Sequence, residues 1–186
     1  MKPIDLAKKL RRDAASDPAV LDRGRAKLMA QIQRESEVRS QPTIIPQLPY
    51  HDLRAALEFL ERAFGFREIP TSRVEDERGV VGHAMMEFGA NGVIGLGGHG
   101  GHSALSPKVD GVVSQYLSVY VPDVEAHYEH ARAAGARIVM GLRDQFWGDR
   151  TYEALDLEGH RWRFHQKIRE VPQEKWNWSS TDPDKP

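Results

Sequence analysis

Apolar residues along the chain fall into two successive copies of one pattern, preceded by an arm that does not share it. The first copy opens on an extended, proline-marked run at 43–50. Leu53, Ala56, Leu57, Leu60 and Phe64 then recur at helical spacing, with Asp52 in the N-cap position and Gly65 just past the end. Strand-like runs follow near 66–76, 80–88 and 93–97, separated by Glu77-Arg78-Gly79 and Gly89-Ala90-Asn91-Gly92, which are turn residues suited to antiparallel hairpins. The unit reads βαβββ. A Gly/Ser/Pro-rich bridge, roughly Gly97 to Gly111, interrupts it.

The second copy repeats the order. Val113 to Val121 alternates, with Leu117, Val119 and Val121 against Tyr116, Ser118 and Tyr120. Asp123 caps a helix with the stripe Val124, Tyr128 and Ala131, which Gly135 closes. Strands are expected at 136–140, 150–156 and 160–165, the last two joined by Leu157-Glu158-Gly159. The pattern divides the chain into an arm (1–42), a doubled domain (43–170, with modules 43–98 and 112–168) and a tail (171–186). In the arm, Asp17-Pro18 gives a helix start, and Leu21, Leu28, Met29 and Ile32 make a stripe too narrow to form a core alone. The expected class is α+β behind a helical N-terminal arm.

Charge adds one feature. The net charge is −1, but residues 1–42 carry +4 and the remainder −5, so the basic character sits in the arm. Asp22, Glu35 and Glu37 break up that basic surface, which favours a solvated helix face over nucleic-acid contact. With no cysteine, disulfides, thiolate nucleophiles and sulfur-based zinc sites are excluded, and a reducing, cytoplasmic setting is expected. No apolar run is long enough for a membrane span, and the start lacks a secretory h-region. Phosphate-binding and nucleophile-elbow motifs are missing.

Phe146-Trp147-Gly148-Asp149-Arg150 and Asp156-Leu157-Glu158-Gly159-His160-Arg161-Trp162-Arg163-Phe164, together with Ala56-Leu57-Glu58-Phe59 and Ala63-Phe64-Gly65-Phe66, resemble the vicinal oxygen chelate (VOC) superfamily. That superfamily includes glyoxalase I, extradiol dioxygenases and bleomycin-resistance proteins, and the wording is closest to its PhnB-like branch. The resemblance spans about 43–168. It implies two βαβββ modules forming curled mixed sheets around a cavity, commonly completed in a homodimer. It also implies four slots for a divalent metal, usually His and Glu, on the first and last strands of each module.

Counting from the module glycines places those slots at Ile45, Gly95, Tyr116 and Arg163, with Gln47 replacing Ile45 if the register shifts by two. Only the tyrosine could ligate, so the expectation is no metal cofactor. If Trp162 and Phe164 pack under the helices, Arg161, Arg163 and His165 face the cavity. The expected ligand-binding residues are Tyr116, Ser118, Trp147, Arg150 and Arg163, a set of forked donors and aromatic faces suited to a planar or anionic small molecule. A blander reading pairs Arg163 with a buried carboxylate such as Asp149 or Asp156 and places Trp147 in the core.

Two alternatives stand beside this. A metal-dependent lyase or dioxygenase would use displaced ligands from His83, Glu87 and His165, perhaps with His51, because His83, Met85 and Glu87 share one strand face. A regulatory module would use the basic arm to hold a partner. His127 and His130 read as a surface pair, His99 and His102 as part of a glycine-rich loop, and His160 as a structural turn residue. The sequence leaves open whether any reaction is catalysed.

Overall fold

The structure, a computed structural model, describes residues 22–32, 42, 44–98, 105–111, 113 and 115–176. The Ser16-Asp17-Pro18 start and the His99/His102 loop lie outside them. Two compact units divide between Ile44 and Ile45. In the first, helix α1 spans 22–32, with Leu28 half-buried and Met29 and Ile32 exposed.

The second unit carries the doubled pattern. Its first module is β1 (Gln47–Tyr50), α2 (Leu53–Phe64), β2 (Arg67–Glu68), β3 (Val74–Glu75), β4 (Val81–Phe88) and β5 (Gly92–Gly98). The short helix α3 (Pro107–Asp110) leads to the second module: β6 (Tyr116–Tyr120), α4 (Val124–Ala133), β7 (Arg137–Asp144), β8 (Asp149–Leu155) and β9 (Arg161–Lys167). Each module makes its own mixed sheet. The orders are β1-β5-β4-β2, with β3 also on β4, and β6-β9-β8-β7. In both, the first strand runs parallel to the last and the rest pair antiparallel. The run expected at 66–76 is broken into β2 and β3 by a 3-10 turn at Pro70–Ser72. There Ser72 Oγ donates to the Ile69 carbonyl and accepts from the Met85 amide, taking over ladder positions that Pro70 interrupts.

Capping sets the helices. Asp52 accepts from the Ala55 amide, and Gly65 ends α2 in the left-handed region at φ 75°, returning its own amide to Glu61. Asp123 accepts from the Glu125 and Ala126 amides at the start of α4.

Both modules share one hydrophobic core. Leu48, Tyr50, Ala84, Met86, Ile94 and Leu96 of the first sheet face α2, and Tyr152, Ala154, Trp162 and Phe164 of the second sheet join the same cluster. Phe64 links the two, with ring centroids 5.5 Å from Trp162 and 4.9 Å from Phe164. His127, expected at the surface, is half-buried in this junction. Its Nδ1 accepts from the Tyr152 hydroxyl at 2.6 Å and its Nε2–H donates to the Phe64 carbonyl at 3.2 Å. His130 reaches the Arg62 carbonyl at 2.7 Å. These imidazoles fill acceptors left open at the C-terminus of α2, which the periodicity of α4 alone does not reveal.

The Asp156–His160 turn is the second fastening. Asp156 Oδ1 accepts the Glu158, Gly159 and His160 amides, and Oδ2 accepts the Tyr50 hydroxyl at 2.6 Å and the Trp162 indole at 3.1 Å. Burial pushes this carboxyl's pKa up, but His160, Tyr50 and Trp162 outweigh it and hold the carboxyl below its ordinary value. The same contacts, with burial foremost, push Tyr50 well above its own. Glu158 accepts from the His51 and Asp52 amides and from Ser106 Oγ, tying the turn of one module to the helix start of the other.

Since the core lies on the helix side of both sheets, each sheet turns its other face away from it. Among the described residues no strand of one sheet pairs with a strand of the other.

A candidate ligand-binding face

The open face of the second sheet follows from strand alternation. Tyr152, Ala154, Trp162 and Phe164 point into the core, so Thr151, Glu153, Arg161, Arg163 and His165 point the other way, beside Tyr116, Ser118 and Tyr120 of β6. Cross-strand register stacks them in rows: Tyr116–Arg161–Leu155, Ser118–Arg163–Glu153 and Tyr120–His165–Thr151.

A solvated sheet face would leave these polar groups wet, yet several are buried. Glu153 is 2% exposed, Thr151 is fully covered and Asp149 is 1% exposed. Glu153 sits between two arginines: Arg161 Nε donates to Oε2 at 2.6 Å, and Arg163 Nε to Oε1 at 2.6 Å. Two guanidiniums over one carboxylate leave one net positive charge, and the carboxylate fixes both forks in place. The Arg163 guanidinium also lies 5.0 Å over the Tyr116 ring. Among the described residues nothing accepts from the Nη groups of Arg161.

Further along the same face, the Tyr120 hydroxyl donates to Asp149 Oδ2 at 2.9 Å and its ring stacks on His165 at 5.0 Å. Burial, then Asp149, push the Tyr120 pKa up. Burial lowers that of His165, only partly offset by Asp149. Gln145 donates to Thr151 Oγ1 at 2.7 Å.

The first sheet's open face is barer. It carries Gln47, Val93, Gly95, Gly97, His83, Met85 and Glu87, with Gln47 and Met85 both opposite Gly95. The Gln47 side chain lies across Gly95, so a Cβ there would push the Gln47 amide aside. Glu87 pairs with Arg67 at 3.0 Å.

Most of the expected residues are brought together, but not all. Tyr116, Ser118 and Arg163 share the second sheet's open face. Arg150 does not: its position puts it on the helix side, where it binds Asp144 at 2.6 Å and Glu125 of α4. Trp147 is half-buried in the β7–β8 turn, edge-on to Phe146. Arg163 does pair with a buried carboxylate, but it is Glu153. Asp149 is taken by Tyr120, and Asp156 lies in the turn.

The counted slots also move. Ile45 precedes β1, and the residue opposite Gly95 is Gln47. Tyr116 faces Arg161, and the residue opposite Arg163 is Ser118. The four corners are thus Gln47, Gly95, Ser118 and Arg163, which offer neither imidazole nor carboxylate, and one of them carries a cation. The displaced set does not converge within one chain: His83 and Glu87 lie four positions apart on β4, His165 is on the other sheet, and among the described residues no three His, Asp or Glu form a metal-holding group. A divalent ion does not fit the corners.

The family model described as glyoxalase/bleomycin resistance protein/dioxygenase superfamily matches residues 44–164. The chain belongs to this superfamily. TioX from Micromonospora sp. ML1 is a similar solved structure, with 34% identity and TM-score 0.57, over 67% of this chain and 98% of that one. A glyoxalase/bleomycin resistance protein/dioxygenase family enzyme from Burkholderia phytofirmans PsJN shares the fold at 20% identity and TM-score 0.53, over 66% and 95%. The uncharacterized protein Mb0911c of Mycobacterium bovis is 31% identical over 137 residues, which is 72% of this chain and 89% of its own length. This superfamily member has no helix among its described residues long and apolar enough to cross a membrane.

Proposed function

We propose that the protein binds a small aromatic or anionic molecule without a metal, using the open face of the second sheet. The observation that carries this reading is the Arg161–Glu153–Arg163 group. A buried carboxylate holds two guanidiniums in fixed positions, with Tyr116 beside them as a stacking surface. Ser118 adds a hydroxyl in the same row. The corner residues support the metal-free part of the proposal, because Gln47, Gly95, Ser118 and Arg163 lack strong ligating groups.

The cavity is proposed to be completed by a second copy, the first sheet of one protomer covering the second sheet of its partner. Both open faces point away from the shared core of a single chain, and each leaves polar or bare backbone surface uncovered. In this homodimer the glycines of β5 supply a flat wall opposite the arginines.

The test is calorimetric titration of tag-free, chelator-dialysed protein with benzoate, alongside sedimentation. Binding that is unchanged by chelator and weakened at least about tenfold in Arg163→Lys supports the reading, because lysine keeps the charge but loses the fork. Binding that appears only after a divalent metal is restored overturns it.

A further inference from the structure

One open-face group is left over by the anion-holding arrangement. His165 has a side chain only 8% exposed, yet neither ring nitrogen has a hydrogen-bond partner. Its Nδ1 is 3.4 Å from Asp149 Oδ2, a long contact that does not make a hydrogen bond. A neutral imidazole offers one donor and one acceptor, and leaving both unmade in a buried position is unfavourable. The ring is not part of the hydrophobic core, since its register puts it in the row between Tyr120 and Thr151, next to the row of Arg163. The ring of Tyr120 stacks on it, a side chain 62% exposed whose hydroxyl is held by Asp149, so that moving the ring aside breaks that hydrogen bond.

We infer that His165 is a specificity-determining residue of the cavity: it hydrogen-bonds a second polar group on the ligand when Tyr120 swings aside. This rests on the anion-binding reading proposed above and adds a length to it. Two steps along a strand cover about 6.6 Å, the span of a benzene ring bearing polar groups at opposite ends. With an anionic group held by Arg161 and Arg163, a hydroxyl across the ring comes level with His165. The ligand class is therefore an aromatic anion carrying a hydroxyl or carbonyl opposite its charge, and a ligand lacking that group leaves the imidazole unsatisfied.

The experiment compares benzoate with 4-hydroxybenzoate on the full chain by calorimetry, in the native protein and in His165→Phe. A ring nitrogen NMR spectrum follows the histidines. Native protein is expected to prefer 4-hydroxybenzoate by at least about tenfold. His165→Phe is expected to bind the two compounds equally. The His165 nitrogen signals, assigned by their absence in the variant, are expected to shift with 4-hydroxybenzoate and not with benzoate. Equal native affinity for the two compounds overturns the role of His165 and leaves the arginine reading standing. Binding of neither compound overturns both. If His165→Phe does not fold, the native preference and the NMR shift decide.

Discussion

Replacing Asp156 with alanine should come close to unfolding the domain, and the size of the effect can be worked from its contacts. The carboxylate is buried and accepts from three backbone amides, the Tyr50 hydroxyl and the Trp162 indole. Alanine orphans three side-chain donors in a water-free setting, the Tyr50 hydroxyl, the Trp162 indole and the His160 ring, at about 1–3 kcal/mol each, giving about 6 kcal/mol before the amides are counted. A domain of this kind is stable by about 5–15 kcal/mol. Urea denaturation followed by tryptophan fluorescence measures the loss, and Tyr50→Phe provides an internal check. Alone, Tyr50→Phe should cost about 1 kcal/mol, but in the Asp156→Ala background it removes an orphan and should cost nothing. A loss below about 1 kcal/mol for Asp156→Ala would show that the turn does not fasten the modules.

Other outcomes follow from the same structure. Burial holds both His127 and His165 below the ordinary histidine value. Unfolded, they take a proton near pH 6.5, and folded they resist it, so stability is full above that pH and falls as pH drops through it. Urea midpoints at pH 7.5 and 5.5 should differ, the difference should shrink in His127→Gln, and equal midpoints would refute this. Asp156 and Glu158, held below the ordinary carboxyl values, add a second loss below about pH 4. Arg163→Ala should destabilise by about 2 kcal/mol, because Glu153 is 2% exposed, and Arg161→Ala by less, because Arg161 is nearly half-exposed. The reverse order in a thermal melt would contradict the burial argument. Gly148→Ala should cost about 2 kcal/mol or more, since the residue sits at φ 100° and a Cβ would strike the Arg169 carbonyl.

The doubled fold was legible because the period of apolar positions and the capping residues agree along most of the chain. Asp52, Gly65 and Asp123 mark helix ends through local chemistry, and Trp162 and Phe164 alternate as core residues must. The edge at 66–76 was not legible as broken, since Ser72 acts there through Met85, thirteen residues away. His130 is exposed as expected, but His127 is half-buried for a similar reason: its partners are the Phe64 carbonyl on another helix and the Tyr152 hydroxyl.

The candidate face was half legible. Tyr116, Ser118 and Arg163 follow from alternation, but Glu153 was missed although its position was available. Running the hairpin back from the Asp156–His160 turn pairs Leu155 with Arg161 and Glu153 with Arg163. The same count puts Arg150 on the strand face of Tyr152, the helix side. The tyrosines against Arg163 and His165 come from a strand more than forty residues earlier, and no local pattern carries that.

A crystal structure of the full chain grown with 4-hydroxybenzoate, at neutral pH and without added metal, tests the central claim most directly. The carboxylate is expected against the guanidiniums of Arg161 and Arg163, the ring beside Tyr116, and a second protomer's glycine strand closing the cavity. A ligand seated elsewhere, or a metal ion at the corners marked by Gln47 and Ser118, would contradict it.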